Sequence, residues 1–270
     1  MSRTFLTFQH DAHLHTLQST VIAIHPFLSL DEPNRQLFKN ASDNHYIIVM
    51  DRTIFHPQGG GQPSDTGTVQ RLSDSTTFIV TAVRMDVVHN GQVLHLGFFH
   101  ENSTPIFNEG ETVQQAIDVD SRLFYSRLHT AGHVLGSAVR HLLQSEVPNF
   151  DELKASHFPE SASCEFQGLI DGKWKEPIQK RVDEYVASKM PVQVEWWDED
   201  DFRTRGLERL IPDRSLVAAG EKSRVVNILG CEVYPCGGTH VDTTDLCGTV
   251  AVKKIARKAG NSKVSYGVVS

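Results

Sequence analysis

The chain is poor in cysteine. It has four in 270 residues, Cys164, Cys231, Cys236 and Cys247, all in its second half. That is too few to staple a fold of this length, and a chain this long buries a core without staples. The thiols are therefore expected to be free or metal-bound in a reducing compartment, which predicts a cytoplasmic location. Long hydrophobic runs are missing as well. No stretch nears the roughly 18 apolar residues of a membrane span, so no membrane partner is expected. The opening stretch "MSRTFLTFQHDAHLHTL" lacks the apolar core of a signal peptide. Basic excess is also absent: 26 Lys and Arg stand against 33 Asp and Glu, a formal net charge of -7. A protein that grips nucleic acid with its whole surface is usually basic, so any such contact has to be local. The sequence shows no clear internal repeat and no low-complexity segment.

Short β-branched-rich runs fill the first part of the chain. "HYIIVMDRTIFHP" and "TTFIVTAVRMDVVHNGQVLHLG" read as strands, with Asn90-Gly91 as a hairpin turn. "PIFNEGETVQQAIDVD" adds a further turn and strand. Strands at this spacing, without helices between them, predict a small β-barrel. The pattern changes at Asp120. "SRLFYSRLHTAGHVLGSAVRHLL" carries Leu123, Leu128, Ala131, Leu135, Ala138 and Leu142 at helical spacing, with Asp120 or Ser121 as cap and Pro148 beyond the end. A second helix is predicted over "EPIQKRVDEYVASKM", with Pro177 near its first turn and Pro191 past its end. "PVQVEWWD" and "RVVNILG" read as strands, and "TVAVKKIARKAGNSKVSYGVV" as two strands joined by a turn. The predicted class is α+β: an amino-terminal small β-barrel over residues 1–115, then an α+β domain over residues 116–270 with a mixed sheet and packed helices.

Three motifs carry chemistry. "LHTAGHVL" sets His129 and His133 four apart on the predicted helix, so both imidazoles share one face and can share an ion. In a chain with 14 His, chance pairs at this spacing are expected, and taken alone a helix with two surface histidines is the plainer reading. "CGGTH" sets Cys236 and His240 at the same spacing, across glycines that let the backbone fold tightly. Together the two pairs offer three nitrogens and one sulfur, a set that suits one Zn2+ per chain. A metalloprotease is excluded, because Thr130 follows His129 and Gly132 precedes His133 where His-Glu-x-x-His needs its acid. Four protein ligands also close the coordination shell, which leaves a purely structural ion open. The third motif is "FHPQGGGQPSDTG". Its glycines Gly59, Gly60 and Gly61 expose backbone N–H groups, and Gln62 adds an amide that both donates and accepts. No Gly-Lys-Ser/Thr follows, so it is not a phosphate loop; the alternative is a hairpin tip.

"DRTIFHPQGGGQPSDTGTV", "HTAGH" and "CGGTH", in this order, resemble the editing region of alanyl-tRNA synthetase and the free-standing AlaX proteins. "GLERLIPD", "RVVNILGCEVYPCGGTHV" and "VKKIARKAGNSKVSYGV" extend the likeness over nearly the whole chain. The amino-terminal barrel makes it similar to the medium-to-long AlaX type. The resemblance implies that His129, His133, Cys236 and His240 bind zinc, that Gly59, Gly60, Gly61 and Gln62 form the glycine-rich motif, and that Thr53 lies near the substrate. It implies hydrolysis, in trans, of the ester joining serine or glycine to tRNA-Ala. Thr53 and Gln62 are the candidate contacts to a serine hydroxyl, and Thr130 and Thr239 sit inside the two ligand motifs, where a hydroxyl can orient a water or equally just cap backbone. Lys253, Lys254, Arg257, Lys258 and Lys263, in an acid-free tail, are the candidate contacts to tRNA phosphates; lysines on an edge hairpin are the plainer reading. Two alternatives stay open: a zinc-stabilised tRNA-binding module without catalysis, and a threonyl-type editing domain. The insertions "LSLDEPNRQLFKNASDNH" and "SDSTTF" are expected in loops.

Overall fold

The computed structural model describes residues 3–89, 91–100, 106–213 and 220–269; Asn90 of the expected hairpin turn lies outside them. The chain divides into two compact units, residues 1–124 and 125–270.

In the first unit β1 (Phe5–Leu6) leads into α1 (Thr7–His10), then β2 (Thr16–Pro26), α2 (Glu32–Arg35), β3 (Tyr46–Met50), β4 (Arg52–Thr53), β5 (Gly67–Arg71), β6 (Thr77–Met85), β7 (Val93–Phe99) and β8 (Thr112–Ile117). Six strands close into a barrel in the order β2-β3-β7-β6-β5-β8, every pair antiparallel. Closure leaves no open edge for other chains to pair with. Alternation along "YIIVM" explains its unbroken apolar run. Ile48 and Met50 point into the barrel core with Val21, Phe55, Val80 and Val113. Ile47 and Val49 point outward, where Phe27 and Phe38 cover them. The expected loop insertion therefore contains α2 and builds a second small core on the barrel wall.

The barrel also buries a polar network. His95 Nδ1 lies 3.0 Å from the Ile48 carbonyl, an acceptor only, so Nδ1 carries the proton and Nε2 accepts. Its partner is the Thr53 hydroxyl at 2.8 Å, which in turn receives the Phe55 N–H at 3.0 Å. Gln115 completes the set, accepting from the Ile54 N–H at 3.0 Å and donating to Ser19 Oγ at 2.7 Å. Thr53 is thus fully buried, and its hydroxyl serves the barrel interior. A serine hydroxyl would reach it only by displacing His95.

Next to this network the glycine-rich segment makes a tight hairpin. Gly59 and Gln62 exchange backbone hydrogen bonds at 3.2 and 2.9 Å, and the central residues Gly60 and Gly61 have φ of 54° and 78°. Two consecutive positive φ values define a type I′ turn, which glycine enters without steric cost. The turn is anchored at its base. Asp65 accepts the His56 N–H at 2.6 Å and forms a buried ion pair with Arg122. Arg122 also donates to the carbonyls of Ile54 and Ala12.

The second unit contains most of α3 (Val119–Leu143), then β9 (Asp151–Ser156), β10 (Ser163–Gln167), α4 (Lys175–Ala187), β11 (Val192–Trp197), α5 (Glu199–Thr204), β12 (Ser223–Ile228), β13 (Glu232–Pro235), β14 (Thr249–Lys258) and β15 (Asn261–Val269). The cap of α3 is Asp118, whose carboxylate takes the N–H and hydroxyl of Ser121 at 3.1 and 3.0 Å; the expected caps Asp120 and Ser121 are already inside the first turn. In place of one mixed sheet there are two separate antiparallel sheets, β14-β15-β10-β9 and β11-β12-β13. The reason is connection length: β9–β10, β12–β13 and β14–β15 are hairpins, and short hairpins force antiparallel neighbours. None of the described helices is long and apolar enough to cross a membrane.

Burial holds the His95 pKa down at about 4. Between pH 6.5 and 4 the unfolded chain binds a proton that folded His95 refuses, so this residue's contribution to stability falls as pH falls. The stability difference between the parent and a His95→Gln protein is expected to shrink by about 3 kcal/mol across that window, measured by urea unfolding at several pH values. A constant difference would contradict it.

Candidate metal centre

Helix α3 earns its position by packing. Leu128, Ala131, Val134, Leu135, Ala138 and Val139 are all buried, so the helix is enclosed over most of its circumference. His129 and His133 are buried with it, on one side as their spacing predicts. The second pair comes from the segment that follows β13. Cys236 is tied in by its N–H to the Arg224 carbonyl at 3.2 Å, and Arg224 Nη1 donates back to the Cys236 carbonyl. Two glycines then return the chain so that His240 faces the same point.

One donor atom from each of His129, His133, Cys236 and His240 lies within 4.8 Å of every other. Cys236 Sγ is 3.4 Å from His129 Nε2 and 3.3 Å from His240 Nε2. A tetrahedral zinc site with ordinary bond lengths sets sulfur and nitrogen about 3.5 Å apart. Two further observations fit an ion. His133 Nδ1 is buried with no hydrogen-bond partner among the described residues. His240 Nδ1 lies 3.1 Å from Thr130 Oγ1, so in its metal-binding form the ring donates there and presents Nε2 to the cluster, the outer support that ligating histidines usually have. Burial pushes the Cys236 thiol up, while the Gly238 N–H and the Arg224 guanidinium pull it down.

The loop is fixed by hydroxyls. Thr130 Oγ1 accepts the Val241 N–H at 3.1 Å, and Thr239 Oγ1 bonds Ser126 Oγ at 2.7 Å. Thr130 is therefore placed behind His240, as its support.

Four residues around the ligands escaped the sequence reading. The Tyr234 ring lies against His133, centroids 4.3 Å apart. The His157 ring stacks on His129 at 4.1 Å and 24°, and Tyr266 bonds His157. Arg224 flanks Cys236. Arg224, Tyr234 and Tyr266 lie inside the stretches that carry the likeness but have no metal-ligand spacing to single them out, and His157 lies outside them. The one signal was Gly132 inside "HTAGH", a glycine in mid-helix where it costs stability.

The cationic residues all lie on one hairpin. Lys253, Lys254, Arg257 and Lys258 on β14 and Lys263 on β15 are exposed. The edge of β14 changes character along its length. Gln179 of α4 covers its first half, bonding the Val250 carbonyl at 2.8 Å and the Val252 N–H at 2.7 Å; the lysines follow. Lys263 is in register with Glu165 of β10, and Glu165 with Lys154 of β9, so the outer face of the sheet carries an acid as well.

Comparison with known proteins places this geometry. Residues 7–121 match the profile described as tRNA synthetases class II (A). Residues 223–263, which include Cys236 and His240, match the threonyl and alanyl tRNA synthetase second additional domain. The chain is 30% identical over 225 residues to alanyl-tRNA editing protein AlaX-M of Methanosarcina barkeri, covering 82% of this chain and 87% of that protein. It is 29% identical over 214 residues to AlaX-L of Pyrococcus horikoshii, covering 79% of this chain and 49% of that one. Alanine--tRNA ligase of Methanothermobacter thermautotrophicus is 29% identical over 210 residues, 78% of this chain and 22% of the ligase. The chain thus spans about half of AlaX-L and about a fifth of the ligase.

Removing the one sulfur donor tests the cluster. In Cys236→Ala the metal retained after gel filtration is expected to fall from one ion per chain to a small fraction, read by elemental analysis. Undiminished metal would refute the ligand set.

Proposed function

The chain belongs to the AlaX family of alanyl-tRNA editing proteins, and from that premise we propose that it is a free-standing aminoacyl-tRNA deacylase. It acts in trans, in the cytoplasm, on tRNA-Ala mischarged with serine or glycine. The observation that carries this reading is the convergence of His129, His133, Cys236 and His240 on one point, in a chain akin to proteins named for alanyl-tRNA editing.

We assign zinc to the site, because three imidazoles and a thiolate suit it. Bound zinc would supply Lewis acidity toward a carbonyl or water, and rigidity to the walls around it. The chain's own residues do the rest. An aminoacyl ester is already activated, so hydrolysis asks mainly for positioning and charge stabilisation. Thr130 and Thr239 hold the Cys236–His240 loop in place through Val241 and Ser126. Gly59, Gly60 and Gly61 are the candidate substrate contacts, since a turn without side chains lets a ligand reach the backbone. Gln62 and Thr53 are both buried; Gln62 closes the turn by its backbone pairing with Gly59, and the Thr53 hydroxyl takes the Phe55 N–H in the segment that leads into it. Lys253, Lys254, Arg257, Lys258 and Lys263 are assigned to tRNA phosphates; they concentrate positive charge in a chain of net charge -7.

Incubation of purified protein with Ser-tRNA-Ala, Gly-tRNA-Ala and Ala-tRNA-Ala is the direct assay. The first two are expected to lose their amino acid and the third to keep it, with Cys236→Ala reduced to the background rate. If metal is bound, tRNA is bound and no ester is cleaved, the chain is a binding module and the deacylase reading fails.

The cationic hairpin predicts a salt effect. In a Lys254→Gln, Lys258→Gln, Lys263→Gln protein, the slope of log affinity for tRNA against log salt should become shallower by about 0.7–0.9 for each phosphate no longer neutralised. An unchanged slope would remove the hairpin from the tRNA interface.

A further inference from the structure

Helix α3 carries a regularity that its ligands alone do not explain. Each ligating histidine is followed three residues later by a glycine: His129 by Gly132, His133 by Gly136. Each glycine faces a tyrosine hydroxyl. A Cβ on Gly132 would stand 2.4 Å from His157 Cε1, 2.5 Å from His157 Nδ1 and 2.6 Å from the Tyr266 hydroxyl, and one on Gly136 would stand 3.0 Å from the Tyr234 hydroxyl. No side chain fits at Gly132 unless both His157 and Tyr266 move. The mid-helix glycine is therefore the space that admits these two residues.

Their hydrogen bonds fix a direction. The Tyr266 hydroxyl donates its only proton to the Leu128 carbonyl at 3.0 Å. Its 2.7 Å contact with His157 Nδ1 must then be donated by the imidazole. His157 is thereby turned with Nδ1–H toward Tyr266. Its ring lies nearly parallel to that of His129, 4.1 Å away and inclined by 24°. A ring stacked face to face presents no nitrogen along its neighbour's donor direction, so His157 is not a fifth ligand, in keeping with a ligand cluster that does not contain it. Tyr266 is anchored in turn: it lies in β15, and its N–H bonds the Ala162 carbonyl at 3.0 Å. The contacts form a closed path. They leave the helix at the carbonyl of Leu128, the residue before the ligand, pass through Tyr266 and His157, and return on the ring of His129 itself.

We propose that His157 is a positioning residue of the metal centre, held by Tyr266 against the Leu128 carbonyl so that its ring fixes the plane of the His129 ligand and the line from that ligand's nitrogen to the ion. The proposal rests on the metal reading of the four ligands and not on the identity of the substrate. Outer residues that orient ligands typically contribute about 10- to 100-fold to metal affinity.

The test is zinc affinity by chelator competition, with the visible spectrum of the cobalt-substituted protein as a readout of ligand geometry. His157→Ala is expected to weaken zinc binding about 10- to 100-fold and to shift the cobalt bands. His157→Phe keeps a ring but cannot bond Tyr266, and Tyr266→Phe frees His157; each is expected to weaken zinc about tenfold. Cys164→Ala is the control, since it deletes a thiol bonded to the Gly132 carbonyl on the same turn at 3.4 Å and leaves His129 untouched; its affinity and spectrum should match the parent. If His157→Ala does not fold, the two ring variants decide. Parent-like zinc affinity and cobalt spectra in folded His157→Phe and Tyr266→Phe would overturn the proposal, as would a parent that binds no metal. A parent that binds metal yet leaves Ser-tRNA-Ala intact would sink the deacylase reading alone.

Discussion

Everything about the second unit depends on four donor atoms being forced together. His129 Nε2 and His240 Nε2 both face the single sulfur of Cys236, and His133 Nδ1 is buried with no partner among the described residues. Lone pairs gathered this closely repel one another, and a buried polar atom without a partner is costly, so a fold that gathers four donors at one point must recover the cost from something else. A cation does this in one step: it takes a lone pair from each group and favours the thiolate over the thiol. The supporting structure follows from that need. Arg224 beside Cys236, Thr130 behind His240, Tyr234 against His133 and His157 against His129 each hold one ligand, so the second unit places a separate residue behind every donor.

The first unit solves a different problem by the same means. Its glycine turn has to adopt two consecutive positive φ values and yet hold its shape. Gly60 and Gly61 supply the backbone freedom, and rigidity comes from the base of the loop, where Asp65 meets both the His56 N–H and Arg122. A buried ion pair of this kind contributes little net stability against an apolar replacement, but breaking it costs about 3–5 kcal/mol. Such a pair selects one loop conformation at the expense of its alternatives. The Thr53–His95–Gln115 network behaves alike, since each member has its partners inside the barrel and none is left to adjust.

Much of this was legible in the sequence because periodicity and spacing are local. The helix carrying His129 and His133, the barrel strands and the β14–β15 hairpin follow from apolar spacing and turn residues. The two ligand pairs follow from their four-residue spacing. What stayed hidden depends on register between distant segments. His157 and Tyr266 are 109 positions apart, and nothing near either announces the other. The α2 insertion reads as loop because Phe38, and Phe27 just before it, are covered only by packing on the outer face of β3. The split into two antiparallel sheets was missed since strand order is a tertiary property. Thr53 shows the converse: a motif position suggests contact with a ligand, while the fold commits its hydroxyl to His95.

That commitment bears on how serine would be told from alanine. A site rejects a residue lacking a hydroxyl strongly only where a polar group awaits that hydroxyl. The side-chain hydroxyls nearest the motifs already have partners: Thr53 with His95, Thr130 with Val241, Thr239 with Ser126. Redirecting Thr53 or Thr239 to a substrate would leave a buried partner unpaired, at about 1–3 kcal/mol, which offsets the discrimination gained. Backbone groups of the glycine turn carry no such penalty, because the turn is already held at its base. Under the deacylase proposal, recognition of the wrong amino acid would fall to main-chain N–H and C=O groups of the turn, with the buried hydroxyls holding the segments around them in place.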